Sequence, residues 1–314
     1  MTTDPEESGH AARMRLVFQG PLEWEATLAY LRPRVTAGIE SVTANAYRRT
    51  VLIGGSPGAI EVSQPEPGHL LLSSLGPDPR LEPEVILRAR RLFRLDTDVT
   101  AAHAVLGSGL ATRFSLLPKL GLRPLGAFDL FETGVRVILG QQVTVTGATT
   151  LSSRLVGALG TPVQGLESLG LTHMFPEPAS VAAADLGTLG VPRSRQRALL
   201  AFSTAVATGE LDLDARPGLE EFTARITSLP GLGPWTAQLL ALRAGYEDAF
   251  PSSDLGIRRA LAQPGAAPVT ASAAEEIAAA CRPWRAHLAM NLWRVAGLEH
   301  PQTAAMLRSV TRPR

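Results

Sequence analysis

Two segments carry the residues best suited to chemistry: Leu229-Pro-Gly-Leu-Gly-Pro-Trp-Thr-Ala237 and Phe250-Pro-Ser-Ser-Asp-Leu-Gly-Ile-Arg-Arg259. The first reads as a tight Gly-x-Gly turn between two helices. Gly231 and Gly233 permit positive φ and close backbone approach, and Pro234 suits the first turn of the helix that follows. Such a turn aims backbone N–H groups outward at a helix N-terminus, where a phosphate binds. An ordinary αα-hairpin has the same pattern, so the turn alone leaves both readings open. Asp254 also has two readings. It is a sensible N-cap for a helix beginning at Leu255, worth about 1 kcal/mol. It is equally a carboxylate one helix beyond the phosphate anchor. Cleavage of an N-glycosidic bond builds positive charge at the sugar C1′. A fixed carboxylate stabilises that charge and can orient or deprotonate the attacking water. Together the segments describe a chain that grips a nucleic-acid backbone without reading sequence and acts at a sugar.

Other residues fit the same picture without requiring it. Trp235 opens the helix after the hairpin, and Trp284 and Trp293 lie near the end of the chain. Their ring faces suit stacking on an extruded, electron-poor base, or simply packing in a core. Gly140-Gln-Gln-Val143 is a polar break between two helices, able to enter a duplex where a base leaves or to serve only as a junction. The six histidines, among them His103, His173 and His287, show no metal-ligand spacing. No Walker loop occurs, and no G-x-G-x-x-G follows a strand.

These residues need a frame to position them, and 314 residues suffice for two or three packed units. Net charge is only +1, so any nucleic-acid surface must be a local patch. Of the 30 basic residues only Lys119 is a lysine. Arginine suits bidentate phosphate contact, although a GC-rich genome produces the same bias. The lone Cys281 excludes an intramolecular disulfide, a multi-thiolate zinc site and a four-cysteine cluster, and reads as a buried apolar residue. The absence of an apolar leader or spanning segment predicts a cytoplasmic protein with no membrane partner.

Along the chain, 1–12 reads as a disordered tail and 13–98 as an α+β unit with an antiparallel sheet. Strands are expected at Arg15–Phe18, Tyr47–Ile53, Ala59–Val62 and His69–Leu72, with turns at Gly-Ser-Pro-Gly and Pro-Glu-Pro-Gly; helices are expected at Glu23–Tyr30 and Pro83–Phe93. Residues 99–305 read as all-helical, followed by a tail at 306–314. Expected helices are Phe128–Val137, Val143–Leu159, Pro178–Leu186, Ser194–Thr208 (capped by Ser194), Leu219–Leu229, Thr236–Ala244 (closed by Gly245), Leu255–Leu261 (capped by Asp254) and one long Ala271–Val295.

The hairpin followed by a lone aspartate resembles the helix-hairpin-helix DNA glycosylase superfamily, and within it most the bacterial 3-methyladenine DNA glycosylase II branch. The resemblance extends to Phe128-Asp-Leu-Phe-Glu-Thr-Gly-Val-Arg-Val-Ile-Leu-Gly-Gln141, Phe175-Pro-Glu-Pro178 and Cys281-Arg-Pro-Trp-Arg-Ala-His-Leu-Ala-Met-Asn-Leu-Trp293, covering about residues 13–300. It implies a TATA-binding-protein-like N-terminal domain ahead of two helical units. Asp254 is the implied catalytic residue, with a base pocket of Trp235, Trp293, Phe18, Leu239 and Leu255. The implied DNA contacts are Gly231, Leu232, Gly233 and Thr236 at the hairpin and Gln141 and Gln142 at the helix break. No cofactor is required, though the Thr227, Leu229 and Leu232 carbonyls would hold a monovalent cation. The implied partner is double-stranded DNA with damaged bases, met by a monomer that is nucleoid-associated when bound. A lysine stands near Trp235 in glycosylase/lyases, so the implied activity is base release without strand cleavage. The implied substrates are alkylated purines. Other damaged purines, or a non-catalytic DNA-binding module, are the alternatives. Three residues depart from the branch: Gln142 replaces a leucine wedge, and Leu239 and Leu255 replace pocket tyrosines. Each lost cation–π contact weakens stacking on a cationic base by roughly 1 kcal/mol.

Overall fold

The computed structural model describes residues 12–76, 80–114, 118–263 and 265–299. The tails expected at 1–12 and 306–314 lie, apart from Ala12, outside them. The architecture is α+β. Five strands, β1 (Arg13–Val17), β2 (Glu40–Val42), β3 (Ala46–Ile53), β4 (Ser56–Ser63) and β5 (His69–Leu75), form one antiparallel sheet in the order β1-β5-β4-β3-β2. The β3–β4 turn is Gly54-Gly55, both at positive φ, as a two-residue hairpin requires. The expected Gly-Ser-Pro-Gly turn is corrected, because Ser56, Pro57 and Gly58 already belong to β4. Helices α1 (Trp24–Leu31) and α2 (Pro83–Phe93) accompany the sheet. Their shared core of Leu16, Trp24, Tyr47, Ile60, Leu72 and Phe93 also takes in Leu125 and Phe128, well past Asp98.

The remaining helices are α3 (Val99–Phe114), α4 (Leu130–Leu139), α5 (Val145–Leu159), α6 (Pro178–Ala182), α7 (Arg193–Ala207), α8 (Leu219–Thr227), α9 (Pro234–Ala244), α10 (Leu255–Ala260), α11 (Ala271–Ala278) and α12 (Arg285–Glu299). A second core centred on Phe131, Val135, Phe202, Ile226, Leu240 and Leu288 unites them. Helix α3 was not expected, since its alanines, glycines and lone histidine give almost no amphipathic stripe. The single helix expected over Ala271–Val295 is two helices. Pro283 removes a backbone donor and disfavours helical backbone at Arg282, whose ψ is 142°. Pro192, not Ser194, occupies the N-cap of α7.

A buried ion network locks the sheet to α4. Glu132 pairs with Arg49 of β3 at 2.6 Å and with Arg136 at 3.0 Å. Arg136 also reaches Glu40 of β2 at 2.9 Å, and Glu40 accepts from the Tyr47 hydroxyl at 2.6 Å. Helix α4 ends at the Gly140-Gln141-Gln142 break, so the network fixes the direction in which that break points.

Candidate active site

Helices α8 and α9 meet through Ser228–Gly233. Gly231 sits at φ +80°, and a Cβ there would come within 2.9 Å of the Ala198 Cβ on α7. Only glycine meets both demands. Among the described residues, the backbone N–H groups of Gly231, Gly233, Trp235 and Thr236 donate to no protein acceptor. Four free donors at one helix N-terminus, reinforced by the helix dipole, suit a phosphate. The Leu232 side chain is buried in the helical core. It anchors the hairpin against that core. The Leu229 carbonyl accepts from Leu232 N–H at 3.2 Å, whereas those of Thr227 and Leu232 accept nothing among the described residues. Neutral carbonyl donors of this kind suit a weakly held cation.

Asp254 stands at the N-cap of α10, and its Oδ1 accepts from the Ile257 N–H at 3.1 Å. The cap reading is therefore correct, but it does not account for the rest of the geometry. The Trp293 indole N–H donates to Oδ1 at 3.0 Å and the Trp235 indole N–H donates to Oδ2 at 3.1 Å. Two rigid donors from different helices hold the carboxylate in one orientation, and it remains half-buried, open to a substrate. The tryptophans, expected to stack on a base, thus first position the aspartate through their edges.

Gly256 was not singled out in the sequence. A Cβ on it would lie 3.1 Å from Asp254 Oδ1 and 3.4 Å from Trp293 Cδ1. Gly256→Ala should displace the carboxylate by a few tenths of an ångström and lower turnover about tenfold with little change in DNA affinity. Single-turnover rates and a binding titration check this; unchanged turnover would mean that the carboxylate tolerates movement.

The sheet unit also reaches the site. Arg243 of α9 donates to the Tyr30 hydroxyl at 2.6 Å and to the Leu125 carbonyl at 2.7 Å, and its guanidinium lies 5.7 Å from the centroid of the Trp293 ring. Arg34 covers the Tyr30 ring at 3.7 Å. Burial would raise the Tyr30 phenol pKa, but Arg243 and Arg34 outweigh it and hold the pKa below its ordinary value, against an opposing push from Asp254. Tyr30 therefore lies within the field of Asp254, a link that its place in a sheet-domain helix concealed. Phe18, the expected contribution of that domain, is 9% exposed in the sheet core, with the Arg123 guanidinium 5.6 Å from its ring centroid.

Leu239 is half-buried on α9, and Leu255 is 48% exposed directly beside Asp254. Gln142 is exposed at φ +54°, an uncommon conformation for a residue with a side chain. Val143 and Val145 beside it are exposed apolar residues. Gln141 turns inward instead: its Nε2 donates to Gly231 O at 3.1 Å and to Thr236 Oγ1 at 3.0 Å. Its amide and the buried Thr236 hydroxyl are thus engaged with each other in this structure. Cys281 is buried, and burial pushes its thiol pKa up to about 11. No cluster of metal-ligating side chains occurs among the described residues, and no described helix is long and apolar enough to cross a membrane. A groove of about 1020 Å³, lined by Arg49, Arg88, Phe128, Asp212 and Arg243 among others, includes none of Asp254, Trp235 and Trp293.

Comparison with known proteins fits this arrangement. Residues 13–129 match the family described as the AlkA N-terminal domain. The Escherichia coli protein named DNA-3-methyladenine glycosylase 2 is 31% identical over 289 residues, covering 90% of this chain and 97% of that protein. The chain belongs to the AlkA family. A Mycobacterium tuberculosis AlkA-family protein, named a probable bifunctional transcriptional activator/DNA repair enzyme, is 36% identical over 295 residues; the match takes in 94% of this chain but only 58% of that longer protein. Among solved structures, the 3-methyladenine DNA glycosylase from Archaeoglobus fulgidus superposes with a TM-score of 0.74 at 21% identity, covering 90% of this chain and 98% of its own. An 8-oxoguanine glycosylase/lyase from Clostridium acetobutylicum does so with a TM-score of 0.62 at 15% identity, covering 84% and 99%. These two likenesses bear on the fold, which is that of the helix-hairpin-helix glycosylases.

Proposed function

We propose that this AlkA-family chain is a monofunctional DNA glycosylase that excises alkylated purines from double-stranded DNA during base excision repair. The observation that carries the reading is the Asp254 carboxylate, fixed by two indole N–H groups beside a hairpin with four free backbone donors. The family supports it through relatives named as 3-methyladenine glycosylases.

The N–H groups of Gly231, Gly233, Trp235 and Thr236 hold a backbone phosphate next to the lesion. Gln142, flanked by Val143, enters the duplex as the damaged nucleotide swings out. Extrusion costs a few kcal/mol, less for a damaged base. The flipped base lies against Trp235, Trp293, Leu239 and Leu255, with Phe18 on the sheet-domain side. Alkylation at N3 or N7 has already made the purine cationic. The C1′–N9 bond breaks with its electron pair going to the base, which leaves neutral and needs no proton from the protein. Asp254 stabilises the oxocarbenium ion left at C1′. Water adds there and gives up its proton, with Asp254 accepting it, and the product is an abasic site. A monovalent cation on the Thr227, Leu229 and Leu232 carbonyls would stiffen the hairpin.

In the glycosylase/lyases that this chain resembles, a lysine stands near the position held here by Trp235, which cannot form a Schiff base. Lys119, the only lysine, pairs with Glu23 at 2.7 Å. A duplex carrying one 7-methylguanine should therefore lose its base and stay unbroken until treated with alkali, and borohydride should trap no covalent adduct. Strand breaks without alkali, or a trapped adduct, would overturn the monofunctional assignment.

A second reading, deaminated purines, is favoured by the Arg243 guanidinium beside Trp293. Positive charge next to the pocket disfavours a cationic base relative to a neutral one. Competition between 7-methylguanine and hypoxanthine duplexes decides between them.

A further inference from the structure

The break after α4 and the hairpin before α9 lie far apart in sequence, yet one side chain ties them together. Gln141 follows the C-cap of α4, and both hydrogens of its amide nitrogen are engaged, one by the Gly231 carbonyl and one by the Thr236 hydroxyl. The acceptors belong to two of the residues whose N–H groups remain free. Thr236 is buried, and Gly231 is packed against Ala198 of α7, so neither can yield easily. The next residue, Gln142, is exposed at positive φ and leads into the exposed Val143.

We infer that Gln141 is a positioning residue that sets the distance between the phosphate grip and the wedge, so that gripping the backbone delivers Gln142 and Val143 to the stack beside the nucleotide to be extruded. Gln141 itself touches no DNA. The physical basis is effective concentration. Two weak DNA-binding elements on a rigid frame make the second contact intramolecular, and that advantage falls when the link between them loosens. The free N–H groups do not depend on Gln141, so its loss should spare backbone binding and impair base extrusion. The inference rests on the glycosylase reading for its biological meaning, but not for its test.

The test places 2-aminopurine next to a 7-methylguanine·cytosine pair and follows its fluorescence on binding. Asp254→Asn serves as the background, so the DNA stays intact. Gln141→Ala should bind within about threefold of its parent, yet give a much smaller rise in 2-aminopurine emission. In the active protein, Gln141→Ala should slow single-turnover excision about 10- to 100-fold on the paired duplex, and no more than about threefold with 7-methylguanine opposite an abasic analogue, where little stacking resists extrusion. Thr236→Val is isosteric and keeps its backbone N–H; it should show the same pattern to a smaller degree even if the Gln141 variant folds poorly. Equal emission in parent and variant, or equal slowing on both duplexes, would overturn the inference. Normal unstacking by a wild-type protein that releases no base would instead count against the glycosylase reading and leave the inference standing.

Discussion

Asp254→Asn is expected to lose base release by about 10³-fold or more while retaining affinity for DNA. Removing one preorganised electrostatic partner of a transition state typically costs on the order of 10²- to 10³-fold, up to about 4 kcal/mol, and here a full charge facing a developing cation is removed. The substitution is well suited to the question because asparagine is as good an N-cap as aspartate. The carbonyl oxygen of the new amide can still accept from Ile257 N–H and from one indole, so α10 persists. The amide nitrogen must then face the other indole N–H, donor against donor, where Asp254 accepted from both Trp235 and Trp293. Stability should fall by about 1 kcal/mol for the lost hydrogen bond. The hairpin donors are untouched, so a titration on abasic-analogue duplex should give the wild-type affinity within a small factor. Strongly weakened binding would mean that Asp254 supports the DNA interface and not the chemistry.

Glu132→Ala is expected to have the largest effect on stability. Glu132 is 2% exposed and neutralises Arg49, 5% exposed, while also reaching Arg136. Its removal leaves a guanidinium buried without its partner, which typically costs about 3–5 kcal/mol. A drop in Tm on the order of 10 °C follows for a chain of this size. Replacing both partners with apolar residues, Glu132→Leu with Arg49→Met, should restore much of the loss, since it is the orphaned charge and not the absence of the pair that destabilises. Thermal unfolding of the single and double variants decides the matter; equal losses in both would mean that the pair itself contributes the stability. The same network carries an acid dependence. Burial would raise the Glu40 carboxyl pKa, but Arg136 and Arg49 outweigh it and hold it below its ordinary 4.5. A carboxyl with a lower pKa folded than unfolded contributes stability at neutral pH and loses it as pH falls through the folded value. Arg136→Met should accordingly flatten the stability profile below about pH 4.5.

How far the sequence reached depends on the kind of residue. The hairpin was legible because Gly231, Gly233 and Pro234 have backbone requirements that act within a few positions. Asp254 was legible as a cap for the same reason. Its contact with Trp293 was not, because it joins α10 to α12 across 39 positions, and a spacing of that length carries no periodic signal. Tyr30 and Arg243 are 213 positions apart and meet only once the sheet unit is docked. Gln141 illustrates a different limit: a polar residue at a helix break reads as a surface contact, and only the folded hairpin shows its amide turned inward. The break at Pro283 was open to reading, but the apolar spacing on both sides of it suggested one continuous helix.

The most direct measurement of the central claim is analysis of the bases released from methylated duplex DNA by the wild type and by Asp254→Asn side by side. The wild type should release free 3-methyladenine and 7-methylguanine and leave alkali-labile sites in equal number, and the variant should release neither base above background. Release of both bases by the variant at the wild-type rate, or no release by a wild type that binds the DNA, would contradict that claim.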